Sequence, residues 1–243
     1  MRDFQYPGRS PVYGGEAMVA TPNPQASLVA INILRDGGNA VDAAVAAAAL
    51  LSVIEPHQTG IGGDCFALYS PNSSKDVVGF NGSGRAPAAA TLDWYKENQV
   101  DEIANFSPHS VTIPGSIDAW HRLVKDYGSR SLEELLQPAI RCAEEGYIVH
   151  SRVAFDWAAE SDRLLKNTEA TNVFLNNKTA PSAGSRHAQP QLAKTLKHIG
   201  KYGREGFYSG EVAEGIVETL RALGGLHTLE DFETYQGDYR KAN

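Results

Sequence analysis

The histidines are the first residues to test for chemistry, because imidazole can act as a general base or as a metal ligand. The chain has seven: His57, His109, His121, His150, His187, His198 and His227. No two of them have the spacing of helical metal ligands, so the sequence predicts neither a metal site nor a cofactor. His57 lies beside a glycine-rich loop and is a candidate for lining a site. For the other six we favour structural roles.

The nucleophilic residues do not form a complete catalytic set. The G-x-S-x-G elbow of the α/β-hydrolases is absent. A nucleophile that uses its own amine as the base must be Ser, Thr or Cys at a chain N-terminus, whereas this chain starts with Met1-Arg2. Cys65 and Cys142 are each followed by an apolar residue, Phe66 and Ala143, which favours buried, inert thiols. We therefore predict no catalytic residue within this chain.

Two glycine-rich stretches invite comparison with phosphate-binding loops: GGNAVD at 37–42 and GIGGD at 60–64. Neither matches a dinucleotide-binding or Walker pattern, and no Lys-Ser or Lys-Thr pair follows a glycine. Glycines required for left-handed turns or for close backbone approach are the interpretation we favour.

Composition limits the classes of partner. The net charge of -7 is spread along the chain, whereas nucleic-acid binding needs a basic stripe. The longest apolar run, residues 43–54, is shorter than the about 20 residues that cross a bilayer. The first residues are polar and rich in turn formers, with no signal peptide, so we expect a cytoplasmic location. We expect neither a nucleic-acid nor a membrane partner.

Hydrophobic periodicity predicts the elements that would position a site. Residues 1–16 are expected to form an arm and residues 17–21 a short strand. Helical spacing predicts one helix from Pro24 to the glycines at 37–38, then a buried helix from an Asn39 cap to Pro56. Apolar runs at 66–69 and 77–80 flank a polar turn, which is typical of a β-hairpin.

The pattern becomes helical from residue 116. Ser116 is expected to cap a helix, and Ser131 with Glu134 a second one, in which Pro138 would be a kink or a break. Further helices are expected near 151–166, 190–202 and 210–222 and from residue 228, with a mobile loop at 176–189. A short β region before many helices predicts a mixed α+β fold with a helix-rich C-terminal half and no clear internal boundary in residues 1–243.

Four ordered blocks carry a resemblance to a known family. Residues 37–64, GGNAVDAAVAAAALLSVIEPHQTGIGGD, closely resemble the signature of the gamma-glutamyltransferase (gamma-glutamyltranspeptidase) family. The other blocks are APAAAT at 86–91, the run from PG at 114–115 to LLQPAI at 135–140, and FYSG at 207–210 with TLED at 228–231. The match covers roughly residues 14–240, and it identifies the chain as the N-terminal part of a large subunit of this family.

The resemblance implies a fold and an activity. The fold would be part of the αββα sandwich of an N-terminal nucleophile hydrolase, made by a precursor that cuts itself. A small subunit, the expected partner, would carry an N-terminal threonine that attacks small-molecule amides such as the gamma-glutamyl compound glutathione. The sequence ends at Asn243, before the position expected for that threonine, so we expect the chain alone to be inactive.

The resemblance also points to Ser83 and Arg85 as substrate-binding candidates. The family normally has an arginine-glutamate pair shortly before the APA segment, and its arginine binds the α-carboxylate of the glutamyl substrate, as a bidentate guanidinium can. This sequence has Ser83-Gly84 at those positions, and Arg85 is displaced by two. Either Arg85 takes over the carboxylate, or it is a surface arginine paired with a local carboxylate and Ser83 leaves discrimination weak.

Two alternatives to a gamma-glutamyltransferase remain open at this point. If the carboxylate grip is absent, cephalosporin-acylase-like relatives, which hydrolyse other acyl amides, become candidates. A catalytically silent, truncated domain that binds a partner or a ligand belongs to a different functional class.

Overall fold

The computed structural model describes residues 11–71 and 74–241. The helices in this part of the chain are α1 (Pro24–Arg35), α2 (Ala40–Ile54), α3 (Leu92–Glu97), α4 (Ser116–Tyr127), α5 (Leu132–Glu145), α6 (Ser151–Ala159), α7 (Ser161–Leu164), α8 (Thr168–Phe174), α9 (Pro190–Tyr202), α10 (Glu205–Tyr208), α11 (Gly210–Ala222) and α12 (Leu229–Glu233). The strands are β1 (Cys65–Tyr69), β2 (Val78–Gly82), β3 (Tyr147–Ile148), β4 (Arg186–His187) and β5 (Asp238–Lys241). The predicted mixed α+β fold with a helix-rich C-terminal half is confirmed.

The chain forms two compact units, each assembled from two segments. The first unit comprises the residues up to Gly60 and Leu136–Lys194; the second comprises Ile61–Leu135 and the residues from Thr195 onward. Neither unit is continuous in sequence, so no single position separates them. The assignment of residues 1–243 to one undivided domain stays a prediction.

Helix α2 forms the centre of the first unit and confirms the interpretation of its apolar sequence. Asn39 caps it, because its side-chain oxygen accepts hydrogen bonds from Val41 N and Asp42 N. Asp42 completes the capping box by accepting from Asn39 N at 2.8 Å. Most of the helix is buried, and α1 packs along it. A helix that is apolar on nearly every side is expected to be buried on nearly every side, as α2 is.

A three-stranded antiparallel sheet organises the second unit. The predicted hairpin is confirmed, with Cys65 opposite Gly82 and Tyr69 opposite Val78. Strand β5 extends it along the other side of β2, giving the order β1-β2-β5. Helix α4 packs on β1 and β2. The sheet ends at Gly82, so it fixes the start of the segment that contains Ser83 and Arg85.

Two predictions about the first unit are wrong, and a third, the loop at 176–189, is confirmed except for the two residues of β4. Residues 17–21 form no strand, because nothing in the described part of the chain pairs with them. The helix predicted near 151–166 is divided into α6 and α7, with Glu160 at the junction. The loop predicted at 176–189 ends in β4, which pairs with β3 and so closes a small second sheet. A strand of two residues is too short to show the alternating hydrophobic pattern that predicts strands, and its pairing depends on a partner that is distant in the sequence.

Other outcomes concern helix ends and the N-terminal arm. Gly115, not Ser116, precedes the first turn of α4, and the Ser116 hydroxyl donates to the carbonyl of Ile61 at 2.7 Å. Pro138 lies inside α5 without ending it. Residues 11–16 of the predicted arm are neither helix nor strand, whereas residues 1–10 lie outside the described residues. Among the described helices, none has the length and hydropathy required to cross a membrane.

Candidate substrate-binding site

The segment from Ser83 to Arg85 runs backbone to backbone against residues 112–115. Close approach explains the glycines on both sides: a Cβ added to Gly84 would overlap the carbonyl oxygen of Ile113, and one added to Gly115 would overlap that of Gly82. A side chain at either position would therefore separate the two segments.

Hydrogen bonds to other parts of the second unit hold the backbone at each of the three residues. The Ser83 carbonyl accepts from the Tyr235 hydroxyl at 2.9 Å. Gly84 N donates to the Asp64 carboxylate at 2.8 Å. The Arg85 carbonyl accepts from Ile113 N at 2.9 Å. A loop bonded at three consecutive residues is pre-organised, which lowers the entropy that its side chains lose when they bind a ligand.

The Arg85 side chain is exposed and makes few polar contacts with the described residues. Its Nη2 donates to the Gln236 carbonyl at a long 3.4 Å. Among residues 11–71 and 74–241, no carboxylate lies within ion-pair distance of it. The alternative of an arginine neutralised by a local carboxylate therefore finds no support. A guanidinium fixed at its base and without a counter-charge is suited to bind an anionic group.

Ser83 is half-buried, and its role here is set by its backbone. Its N–H donates to the side-chain oxygen of Asn81 at 3.1 Å, and its carbonyl accepts from Tyr235. Ser83 and Arg85 therefore lie in one fixed segment, as their sequence positions predict, but whether either touches substrate stays a prediction.

Tyr235 is protonated at neutral pH and so acts as the donor to Ser83. The pKa of its hydroxyl is raised to about 12, mainly by burial and to a smaller extent by the nearby carboxylates of Asp118 and Asp64. The positive charge of Arg85 acts in the opposite direction. The hydrogen bond to the Ser83 carbonyl is thus present throughout the range in which most enzymes work.

The glycine-rich loop serves α4 instead of a phosphate. The carbonyl of Gly63 accepts from both Gly115 N and Ser116 N at 3.0 Å. These are among the N–H groups that a helix N-terminus leaves without an intrahelical partner and that a phosphate-binding loop would present to its ligand. Gly37, in the other glycine-rich stretch, has φ +87° as a left-handed turn requires, whereas a Cβ added to Gly60 or Gly62 would meet no atom within 4 Å, so close approach does not explain these two glycines.

His57 belongs to the first unit. Its Nε2 lies 3.4 Å from the Asp156 carboxylate, and its buried Nδ1 has no hydrogen-bond partner among the described residues. It lines a cavity of about 200 Å³ together with Trp157 and Phe174. Among the described residues that line the cavity there is no serine, threonine, cysteine or lysine. His57 therefore lines a pocket, and a role for it in a reaction stays a prediction.

The remaining candidates for chemistry are inert or structural. Burial raises the pKa of both the Cys65 and the Cys142 thiols, which disfavours reactive thiolates. Burial lowers the pKa of His227, whose Nε2 lies 2.9 Å from the Val111 carbonyl. Within residues 11–71 and 74–241, no group of three or more potential ligands is placed to hold a metal ion.

The sequence interpretation missed the residues that support Ser83 and Arg85. Asp64 had a usable signal, because it directly follows the GIGG loop, where a carboxylate can reach backbone donors. Tyr235 had none, since it is 152 positions from Ser83 and joins it only through the fold.

Comparisons with known proteins show the family of the chain. Residues 26–242 match the family model described as Gamma-glutamyltranspeptidase. The chain is 36% identical over 228 residues to the Glutathione hydrolase-like YwrD proenzyme of Bacillus subtilis (strain 168), covering 94% of this chain and 43% of that protein. The chain thus spans less than half the length of this relative.

Two solved structures resemble the chain closely. The Helicobacter pylori gamma-glutamyltranspeptidase superposes with a TM-score of 0.89 at 31% identity, covering 95% of this chain and 67% of that one. The cephalosporin acylase from Bacillus halodurans gives a TM-score of 0.85 at 35% identity, covering 96% of this chain and 46% of that one. The similarity therefore extends to proteins whose names describe different acyl substrates.

Proposed function

Since the chain belongs to the gamma-glutamyltranspeptidase family, we propose that it is the large-subunit portion of an enzyme that cleaves an amide and transfers the acyl group. The nucleophile would be the N-terminal threonine of a small subunit made from the same precursor. The names of the Bacillus subtilis relatives, which describe proenzymes, support a precursor of this kind.

In the proposed reaction the threonine hydroxyl attacks the amide carbonyl while its own amine takes the proton. The bond from the carbonyl carbon to nitrogen then breaks, and the leaving amine takes up that proton. The acyl group remains as an ester on the threonine until water or an amine attacks it. Donors to the oxyanion would lie on the small subunit, so this chain's own contribution is to bind and orient the acyl group.

Arg85 carries the proposal for a gamma-glutamyl acyl group. Its exposed guanidinium has no counter-charge among the described residues, and the backbone beneath it is fixed by hydrogen bonds at three consecutive residues. A gamma-glutamyl compound presents an α-carboxylate, which a guanidinium can hold with two parallel hydrogen bonds. We therefore assign recognition of this carboxylate to Arg85 in place of the arginine that Ser83 replaces.

The test compares two p-nitroanilides on the complete two-subunit enzyme. The gamma-glutamyl compound has the carboxylate, and the 4-aminobutanoyl compound lacks it but keeps the amine. Charge-assisted hydrogen bonds contribute about 1.5–3 kcal/mol each, so kcat/KM should favour the gamma-glutamyl compound by roughly tenfold to a thousandfold. Arg85→Ala should bring the two kcat/KM values within about threefold of each other, because the same binding energy is lost.

Arg221→Ala, which changes an exposed arginine at the end of α11, is the matched control. A preference that survives Arg85→Ala would refute the assignment.

A second candidate function follows from Ser83 and from the similarity to a cephalosporin acylase. If the enzyme acts on acyl groups without an α-carboxylate, both p-nitroanilides should be processed equally by the unsubstituted enzyme. Arg85→Ala should then change neither value. This pattern would favour an amidohydrolase of the acylase type over a gamma-glutamyltransferase.

A further inference from the structure

Tyr235 and Gln236 contact the Ser83–Arg85 segment at both of its ends. The Tyr235 hydroxyl donates to the Ser83 carbonyl at 2.9 Å, and the Gln236 carbonyl accepts from Arg85 Nη2 at 3.4 Å. One dipeptide therefore constrains the backbone before Arg85 and the guanidinium itself. Any displacement of this dipeptide would move both contacts together.

The Tyr235 ring is held in one orientation. It is buried and lies nearly parallel to the ring of Tyr208, with 5.7 Å between centroids and an interplanar angle of 13°. The Tyr208 hydroxyl donates to the Pro114 carbonyl at 2.6 Å and accepts from Asp118 N at 3.2 Å. The stack therefore fixes Tyr235 relative to the residues that lie beside Ser83–Arg85.

A buried ion pair holds the backbone on either side of Gln236. Arg204 Nε lies 3.1 Å from one oxygen of Asp118, whose side chain is 1% exposed. Arg204 Nη2 donates to the Tyr235 carbonyl, and the other Asp118 oxygen accepts from Gly237 N at 2.9 Å. A buried pair contributes little net stability when it replaces apolar packing, but its directed hydrogen bonds impose one geometry.

We infer that Tyr235 is a positioning residue, which sets where Arg85 presents its guanidinium to the substrate carboxylate. This inference rests on the proposed function of Arg85. The Asp118–Arg204 pair fixes the Tyr235 backbone, Tyr208 fixes its ring, and its hydroxyl fixes Ser83. Tyr235 itself needs no contact with substrate.

The test is Tyr235→Phe in the complete enzyme, which removes the hydroxyl and retains the ring stack. KM for gamma-glutamyl-p-nitroanilide should rise by about threefold to thirtyfold with kcat within twofold, because a misplaced arginine weakens binding in the ground state and the transition state alike. The kcat/KM of the 4-aminobutanoyl compound should stay within twofold. Tyr239→Phe is the matched control, because its hydroxyl donates to Asp126 instead.

A double substitution separates positioning from general structural damage. If Tyr235 acts only through Arg85, the Arg85→Ala/Tyr235→Phe enzyme should be no worse on the gamma-glutamyl compound than Arg85→Ala alone. Additive losses, or an equal fall in kcat/KM for both compounds, would overturn the inference. If Arg85→Ala leaves the preference for the gamma-glutamyl compound intact, the proposed function of Arg85 is refuted. If Arg85→Ala removes that preference but Tyr235→Phe does not change KM, only the inference about Tyr235 is refuted.

Discussion

Asp231 joins two segments that are far apart in the sequence. One carboxylate oxygen accepts from Thr228 N and from the Thr228 hydroxyl, at 2.9 and 2.7 Å, and so completes the capping box of α12. The other accepts at 2.9 Å from Ala88 N, in the APA segment that follows Arg85. Burial alone would raise the pKa of this carboxyl, but the hydrogen bonds from Ala88 and Thr228 outweigh burial and lower it.

The lowered pKa gives a prediction about stability and pH. A carboxyl with a lower pKa in the folded state stabilises the fold above its unfolded pKa of about 3.9, and this contribution is lost as the pH falls through the folded value. We expect Asp231→Asn to lower the melting temperature of the complete protein at pH 7. The difference in melting temperature between the variant and the unsubstituted protein should shrink as the pH falls from about 5 to about 2, because the carboxyl of Asp231 becomes protonated in this range.

Thermal melts at a series of pH values would check this prediction. Asp93→Asn, in the first turn of α3 and exposed, is the matched control and should show a small difference at every pH. A difference for Asp231→Asn that is constant from pH 7 to about pH 2 would show that the lowered pKa has no linkage to folding.

The candidate site was predictable from the sequence only in part. Ser83 and Arg85 stand out because they interrupt an ordered series of family blocks, which locates them without any knowledge of their contacts. The residues that fix them come from elsewhere in the chain: Tyr235 is 152 positions away from Ser83, and Arg204 is 86 positions away from Asp118. Contacts of this range depend on the fold, and no local pattern encodes them.

Helices and strands, too, were predictable where they depend on residues close together in the sequence and not where they depend on distant ones. The capping box of α2 and the hairpin of β1 and β2 were predictable, because each depends on residues within a few positions of one another. Strand β5 was not, because it is a strand only through its pairing with β2, in which Asn81 lies opposite Asp238. Helix α3 buries none of its residues, so it carries no amphipathic signal.

Strand β1 presents an apolar edge that the described residues leave uncovered. It is an outer strand of the β1-β2-β5 sheet, and Phe66 and Leu68 are 68% and 78% exposed. These two side chains border a groove of about 470 Å³. An exposed edge strand with apolar side chains is prone to association. In the proposed enzyme this surface would face the strands of the small subunit.

We therefore predict that the 243-residue polypeptide, produced alone, associates through β1. Light scattering after size exclusion should show oligomers, and Leu68→Lys should shift them toward monomer, because a lysine on an edge strand opposes pairing. Leu223→Lys is the matched control, since Leu223 is 58% exposed in the same unit but lies just after α11. A monodisperse monomer without any substitution would contradict this prediction, and an equal effect of both lysines would assign association to general hydrophobicity.

The whole molecule divides the work of the proposed reaction between two polypeptides. This chain spans 43% of the length of its Bacillus subtilis relative, and in the proposal it would contribute Arg85, whereas the threonine and the oxyanion donors would come from the small subunit. A site that binds the acyl group without a nucleophile stabilises the substrate as much as the transition state, and so it does not accelerate the reaction. In the proposed enzyme the large subunit would therefore determine which acyl group is held, and the small subunit would determine whether it reacts.

We accordingly predict that the 243-residue polypeptide alone does not turn over gamma-glutamyl-p-nitroanilide, and that production together with the small subunit supplies activity. The measurement is the release of p-nitroaniline at each step of purification. A contaminating amidase would give activity that falls as purity rises and that is the same for the Arg85→Ala polypeptide. Activity that stays constant per mole of chain through purification, and that Arg85→Ala lowers, would place a nucleophile within this chain. Such a result would require a different reaction from the one proposed, because the proposed reaction places its nucleophile on the small subunit and because burial raises the pKa of the half-buried Cys65 and Cys142 thiols.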